Sequence, residues 1–182
     1  MAASFMSDIE TSWFVITGGP SSGKTKTTEY LAFLGYPTVP ESARILIDIE
    51  RSRGKTLEKI RANEAAFQRK AMQMKVEVEG RVPPEQLTFF DRGIPDSIAY
   101  HRLYNQDINE ALKASKKRRY KGVFLLERLP FENDYARIET EDLTKKIDKL
   151  LYDAYATLGY KVVKVPVKTI PERVEYILKQ IK

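Results

Sequence analysis

The chain has 182 residues, 42% of them hydrophobic, which suits one globular domain with a full core and requires no second. Cysteine is absent and His101 is the one histidine, so disulfides, thiolate metal centres and His-rich clusters are excluded and a reducing, cytoplasmic setting is the simplest fit. A net charge of +6, from 31 basic and 25 acidic residues, suits an anionic substrate or a polyanionic partner; no apolar stretch reaches the ~18 residues of a membrane span, and residues 1–11 lack the charged start and apolar core of a signal peptide.

In chain order, residues 13–17 are apolar and predict a strand, and Gly18 to Thr25 then reads Gly-Gly-Pro-Ser-Ser-Gly-Lys-Thr. Glycine, four residues, then Gly-Lys-Thr is the pattern of a phosphate-binding loop, whose glycines let the backbone curl its N–H groups inward around phosphate oxygens. Nucleotide contacts are therefore expected from Gly18, Gly19, Pro20, Ser21, Ser22, Gly23, Lys24, Thr25 and Lys26. Lys24 is expected at the β and γ phosphates and Thr25 on Mg²⁺, with the following helix adding its N-terminal dipole. A plain Gly/Ser turn between strand and helix is the alternative.

The helix over 25–33 is closed by Gly35 and Pro37, and 36–39 reads as a short second strand. Pro40-Glu41-Ser42 opens a helix carrying Ile45, Leu46 and Ile49, followed by a polar break over 51–55. From Thr56, a candidate N-cap, the spacing of Phe67, Ala71, Met74 and Val78 predicts one long helix over 56–79, ended by Gly80 and Pro83-Pro84. The apolar run 87–90 before Asp91 suits a central parallel strand. Helices are predicted over 95–104 and 108–117, a fourth strand over 123–126, a charged and proline-containing loop over 127–138, an amphipathic helix over 141–158 capped by Gly159, a fifth strand over 161–167, and a last helix from Pro171. Alternating strands and helices predict an α/β fold with a parallel sheet of about five strands, helices on both faces and ligands at the carboxyl ends of the strands. That rule selects the phosphate loop, Glu41, Asp91-Arg92, Glu127-Arg128 and Lys168.

Asp91 is placed to hold Mg²⁺ beside Thr25, or to cap the next helix. Arg92 is suited to clamp a substrate oxygen with its planar fork, or to pair with Asp96 or Glu41. Glu41 stands across the switch point, where an acceptor hydroxyl would arrive, and reads as a base or as an i,i+3 partner of Arg44. Arg128 and Arg137 lie in a candidate lid over 127–138, where cations would meet the spreading charge of phosphoryl transfer; salt bridges with Glu127, Glu132 and Asp134 are the alternative. Lys168 and Thr169 lie against the adenine or form a turn. Gln68 is a candidate base reader or an exposed helical residue, and His101 reads as a packed or surface residue. The tract Lys113, Lys116, Lys117, Arg118, Arg119, Lys121 reads as a nucleic-acid patch or a solvated helix terminus. A guanine-reading Asn/Thr-Lys-x-Asp segment is missing after any strand: Lys145-Lys146-Ile147-Asp148 lacks its first residue and lies in a helix, which favours adenine or relaxed nucleotide use.

The set of Gly18 to Thr25, Pro40-Glu41-Ser42-Ala43-Arg44, Phe90-Asp91-Arg92-Gly93-Ile94-Pro95-Asp96-Ser97 and Val123-Phe124-Leu125-Leu126 resembles the small AAA-domain P-loop proteins related to the nicotinamide riboside kinase domain. The resemblance implies a three-layer P-loop NTPase fold of the nucleoside and nucleotide kinase type, with sheet order 2-3-1-4-5. It implies that Glu41 is base or hydroxyl ligand, that Asp91-Arg92 is the acidic-Arg pair after the third strand, and that Gln68 reads a base. The lid text Leu129-Pro130-Phe131-Glu132-Asn133-Asp134 departs from the arginine-dense lids of typical nucleotide kinases. The expectation is an ATP- and Mg²⁺-dependent kinase of a small hydroxyl-bearing metabolite, occupying 1–182 as one domain. The alternatives are an ATP-binding switch or nucleic-acid-associated ATPase without a small-molecule acceptor, and a binding module without turnover.

Overall fold

The computed structural model describes residues 9–128 and 141–181. The chain runs β1 (Ile9–Glu10), β2 (Trp13–Thr17), α1 (Lys24–Phe33), β3 (Thr38–Val39), α2 (Ser42–Ser52), α3 (Leu57–Arg61), α4 (Glu64–Glu79), β4 (Thr88–Asp91), α5 (Pro95–Leu103), α6 (Asn109–Ser115), β5 (Arg118–Arg119), β6 (Gly122–Leu126), α7 (Glu141–Ala156), β7 (Val162–Val165) and α8 (Ile170–Gln180). Five strands form one parallel sheet in the order β3-β4-β2-β6-β7, which is the 2-3-1-4-5 order of the five expected strands.

Register explains the layering. Val15 stands between Phe90 and Val123, and Ile16 between Asp91 and Phe124. Because side chains alternate along a strand, Trp13, Val15, Phe90, Val123 and Leu125 bury one face against α5 and α7, and Phe14, Ile16, Phe89, Phe124 and Leu126 bury the other against α1 and α8. A smaller cluster of Leu46, Ile47, Phe67 and Ala71 joins α2 to α4.

Several boundaries differ from the sequence expectation for identifiable reasons. The helix expected over 56–79 is two helices, since the Asn63 side chain accepts from Ala66 N at 3.0 Å and starts α4 afresh, while Thr56 caps only α3. The third main strand includes Asp91, so this carboxylate ends the strand itself. The fifth stops at Val165, where Pro166 has no N–H to continue the ladder. The extra two-stranded parallel sheet of β1 and β5 was not expected, because two-residue strands carry no periodicity. Among the described residues no helix is long and apolar enough to cross a membrane.

Candidate active site

The phosphate loop begins where β2 ends. Gly18 (φ +146°) lies so close to β6 that a Cβ there would come 2.7 Å from Leu126 O and 2.8 Å from Ser22 Oγ, and Gly23 (φ +80°) turns the chain into α1. Ser21 also takes a left-handed φ of 62°, strain held by the loop around it. Ser22 Oγ donates to Gly19 O at 2.8 Å. Lys24 folds back across the loop, its Nζ donating to Gly19 O at 2.8 Å and to Ser22 Oγ at 3.2 Å. Burial, and then the Arg92 charge, lower its pKa to about 8 against the opposing pull of Asp91, Glu41 and Asp96. Lys26, by contrast, is exposed on α1.

Asp91 lies next to the loop. Thr25 Oγ1 donates to Asp91 Oδ2 at 3.0 Å, while the buried Asp91 Oδ1 has no hydrogen-bond partner among the described residues. Burial, then the charge of Glu41, pushes the Asp91 carboxyl up to about 6 despite Lys24, Arg92 and the Thr25 bond. A hydroxyl and a carboxylate with an idle buried oxygen form a hard-oxygen donor set that fits Mg²⁺. Asp91 does not cap the next helix: no side chain caps α5, and the Asp96 and Ser97 amides donate to Gly93 O and Ile94 O at 3.2 and 2.9 Å.

Arg92, at a left-handed φ of 69°, is the hub of a buried ionic group. Its Nε donates to Glu41 Oε1 and its Nη1 to Asp96 Oδ1, both at 3.0 Å, and its Cζ lies 5.1 Å from the Tyr100 ring centroid. Asp96, fully buried, also accepts from Thr17 Oγ1 at 2.7 Å and from the Tyr155 hydroxyl. Both pairings anticipated as rivals to a substrate clamp are thus present. For Glu41, burial opposes ionisation, but Arg92 first, then Lys24, Lys75 and Arg44, outweigh it and hold the carboxyl below its ordinary range. It is an ionised carboxylate at the first turn of α2, joined to β4 by Arg92.

Arg128, just after β6, lies with its Nε 3.3 Å from Asp148 Oδ2 of α7, and Asp148 Oδ1 accepts from Gly19 N at 2.9 Å. Arg137 and the expected lid beyond Arg128 fall outside the described residues. Lys168 is exposed between β7 and α8, where its charge acts on Glu172, and Thr169 forms a capping box with that glutamate. Gln68 is buried and its Nε2 donates to Glu64 Oε1 at 2.7 Å, so its amide serves the Arg61–Glu64 pair. His101 is packed, with Nδ1 3.0 Å from Asp107 O. In the basic tract, Arg119 donates at 2.7 Å to Leu158 O and to Gly159 O and stacks on Tyr160, at the end of the sheet opposite the phosphate loop.

Three groups near the site had no singled-out role in the sequence. Asp148 stands among the apolar positions of α7, and its partner Gly19 is far away in the chain. Arg173 is fully buried and donates to Ser22 O, to Glu127 O at 2.8 Å and to Pro166 O at 3.1 Å, tying the phosphate loop to the segments after β6 and β7. Lys75, buried on α4, donates to Ser97 Oγ at 3.1 Å, and burial lowers its pKa. An arginine at the start of a terminal helix, or a lysine between apolar helical positions, gives no local signal of such burial.

A family model described as "AAA domain" matches residues 13–173. Among solved structures, a NadR protein in complex with NR is similar at a TM-score of 0.71 and 17% identity, over 94% of this chain and 50% of that one. Deoxyadenosine kinase from M. mycoides, with products dCMP and a flexible dCDP bound, is similar at 0.66 and 13%, over 93% and 98% of the two chains. Shikimate kinase from Acinetobacter baumannii in complex with shikimate is similar at 0.58 and 19%, over 100% and 97%. The chain spans about half the length of the NadR chain. No curated protein matches by sequence. At these identities the solved structures share the fold.

Proposed function

The chain belongs to the AAA domain family, and from that premise and its site geometry we propose that it is an ATP- and Mg²⁺-dependent kinase of a small hydroxyl-bearing metabolite, such as a nucleoside or a related compound. The observation that carries this reading is the convergence of Glu41, Asp91 and Arg92, from the carboxyl ends of adjacent strands, on the buried Lys24. A nucleotide-binding switch needs Lys24, Thr25 and Asp91; it has no use for an ionised, part-buried Glu41 held by Arg92.

Lys24 and the inward amides of residues 18–25 would hold the β and γ phosphates. Thr25 and Asp91 would hold Mg²⁺, which when bound supplies neutralising charge to the phosphates. Glu41 takes the proton of the acceptor hydroxyl as its oxygen attacks phosphorus, and the bond from the γ phosphorus to the bridging oxygen breaks to leave ADP. Arg92 fixes Glu41 Oε1 and keeps it ionised, and Arg128 adds positive charge at the loop's edge. The acceptors of the similar kinases differ in ring and charge yet share a hydroxyl, which supports an alcohol acceptor without choosing one.

A switch or nucleic-acid-associated ATPase draws its support from the basic tract, and Arg119 of that tract is committed within the fold. The test is ATP consumption with Mg²⁺ over a panel of nucleosides, nucleoside monophosphates and vitamin-like alcohols, with Lys24→Ala as blank. A phosphorylated product is expected from one class; ATPase activity indifferent to every compound and stimulated by nucleic acid would favour the other reading.

A further inference from the structure

We propose that Asp148 is a positioning residue of the nucleotide site, fixing the phosphate loop with one carboxylate oxygen and the Arg128 guanidinium with the other, so that Arg128 stands ready for the terminal phosphate of a nucleoside triphosphate. The contact with the loop is close: a Cβ on Gly19 would lie 2.3 Å from Asp148 Oδ1 and 3.3 Å from Ile147 Cγ2. The helix cannot easily shift to loosen it, because the neighbouring Ile147 and Leu151 are fully buried against the sheet. Oδ1 accepts the Gly19 amide at 2.9 Å and Oδ2 faces Arg128 Nε at 3.3 Å, so both oxygens are engaged by different segments of the chain.

The charge makes this arrangement specific. A half-buried carboxylate against a loop built for polyphosphate repels the ligand unless a cation cancels it. Arg128 does so. Removing Arg128 alone therefore acts twice: it deletes a cation and uncovers an anion. Removing the Asp148 charge as well relieves the second effect, so the two substitutions are non-additive in a stated direction.

This inference rests on the nucleotide-binding half of the proposed function and not on the acceptor, so its test uses binding alone. Affinities for ADP and for a non-hydrolysable ATP analogue, both with Mg²⁺, are compared in the wild type, Asp148→Asn, Arg128→Ala and the double variant. Asparagine keeps an oxygen for the Gly19 amide, and Arg128 is only half-buried, which protects folding of each variant. Arg128→Ala is expected to lower the preference for the triphosphate about tenfold or more, the worth of a charge-assisted hydrogen bond. Asp148→Asn should lower it several-fold, and the double variant should bind the analogue no worse than Arg128→Ala. A purely structural Asp148 would weaken ADP and the analogue together and leave their ratio unchanged. An unchanged or raised triphosphate preference in Asp148→Asn, or losses that multiply in the double variant, overturns the proposal. Intact binding effects with no phosphorylated product in the acceptor panel would overturn the kinase reading instead.

Discussion

Glu41 shows how a single residue's chemistry is decided by competing magnitudes. Burial alone would push its carboxyl up, as it does for Asp91, but Glu41 has Arg92 at 3.0 Å and Lys24 and Lys75 nearby. Replacing it with glutamine keeps the shape and hydrogen-bonding capacity while removing the base. Glu41→Gln is expected to keep ATP affinity within about twofold and to lose roughly a hundredfold or more in turnover, measured by product formation; turnover near the wild-type value would remove Glu41 from the mechanism. Lys24→Ala should abolish ATP binding in a calorimetric titration, since the loop would lose the cation that spans it. Of these residues, the loop and Asp91 were legible because their signals are local. The partners of Arg92 were legible only as alternatives, and the structure supplies both. Asp148 and Arg173 were not legible, because each acts on the phosphate loop from a helix late in the chain and sequence spacing records nothing of such contacts.

At the scale of elements, α7 packs along α5 and meets the site twice. Asp148 touches the phosphate loop, and Tyr155, two turns on, reaches the segment after β4: its hydroxyl donates to Asp96 Oδ2 and accepts the Gly93 amide at 3.3 Å. Tyr120 takes the neighbouring Ile94 amide at 3.0 Å, so two phenols hold the backbone that follows the strained Arg92. Tyr155→Phe leaves the packing and removes both bonds. It should cost about 1 to 2 kcal/mol in denaturant unfolding, and reduce turnover more than ATP affinity as Arg92 loosens; an unchanged unfolding midpoint would contradict that account. The strands and most helices followed from apolar periodicity and from caps at Gly35 and Gly159. The break at Asn63 did not, because the spacing of Phe67, Ala71 and Met74 continues through a helix whichever residue starts it.

For the whole molecule, buried carboxylates set the dependence of stability on pH. Glu79 closes α4 almost fully buried, accepting from the Tyr120 hydroxyl at Oε1, while Oε2 has no partner among the described residues. Burial pushes its carboxyl up to about 7, against the Tyr120 bond and the charges of Arg118 and Lys75. The folded state therefore binds a proton that the unfolded chain has released above its ordinary value of 4.5, and stability falls as pH rises from about 4.5 to 7, by up to roughly 3 kcal/mol. Asp91 adds a slope of the same sign between 3.8 and about 6, so the difference between wild type and Glu79→Gln isolates Glu79. The variant should melt with a visibly flatter pH dependence between pH 5 and 7.5; parallel curves would show that Glu79 is not the group responsible. The same sheet that buries these carboxylates aligns the carboxyl ends of β2, β3 and β4, and the proposed chemistry depends on that alignment. The most direct test of it is mass detection of phosphorylated product when the wild-type protein, ATP and Mg²⁺ are presented with the panel of hydroxyl-bearing metabolites. A product about 80 Da heavier than one acceptor class, the mass of a transferred PO₃H, is expected with the wild type and absent with Lys24→Ala and with Glu41→Gln. ATP bound and hydrolysed with no acceptor ever modified would contradict it.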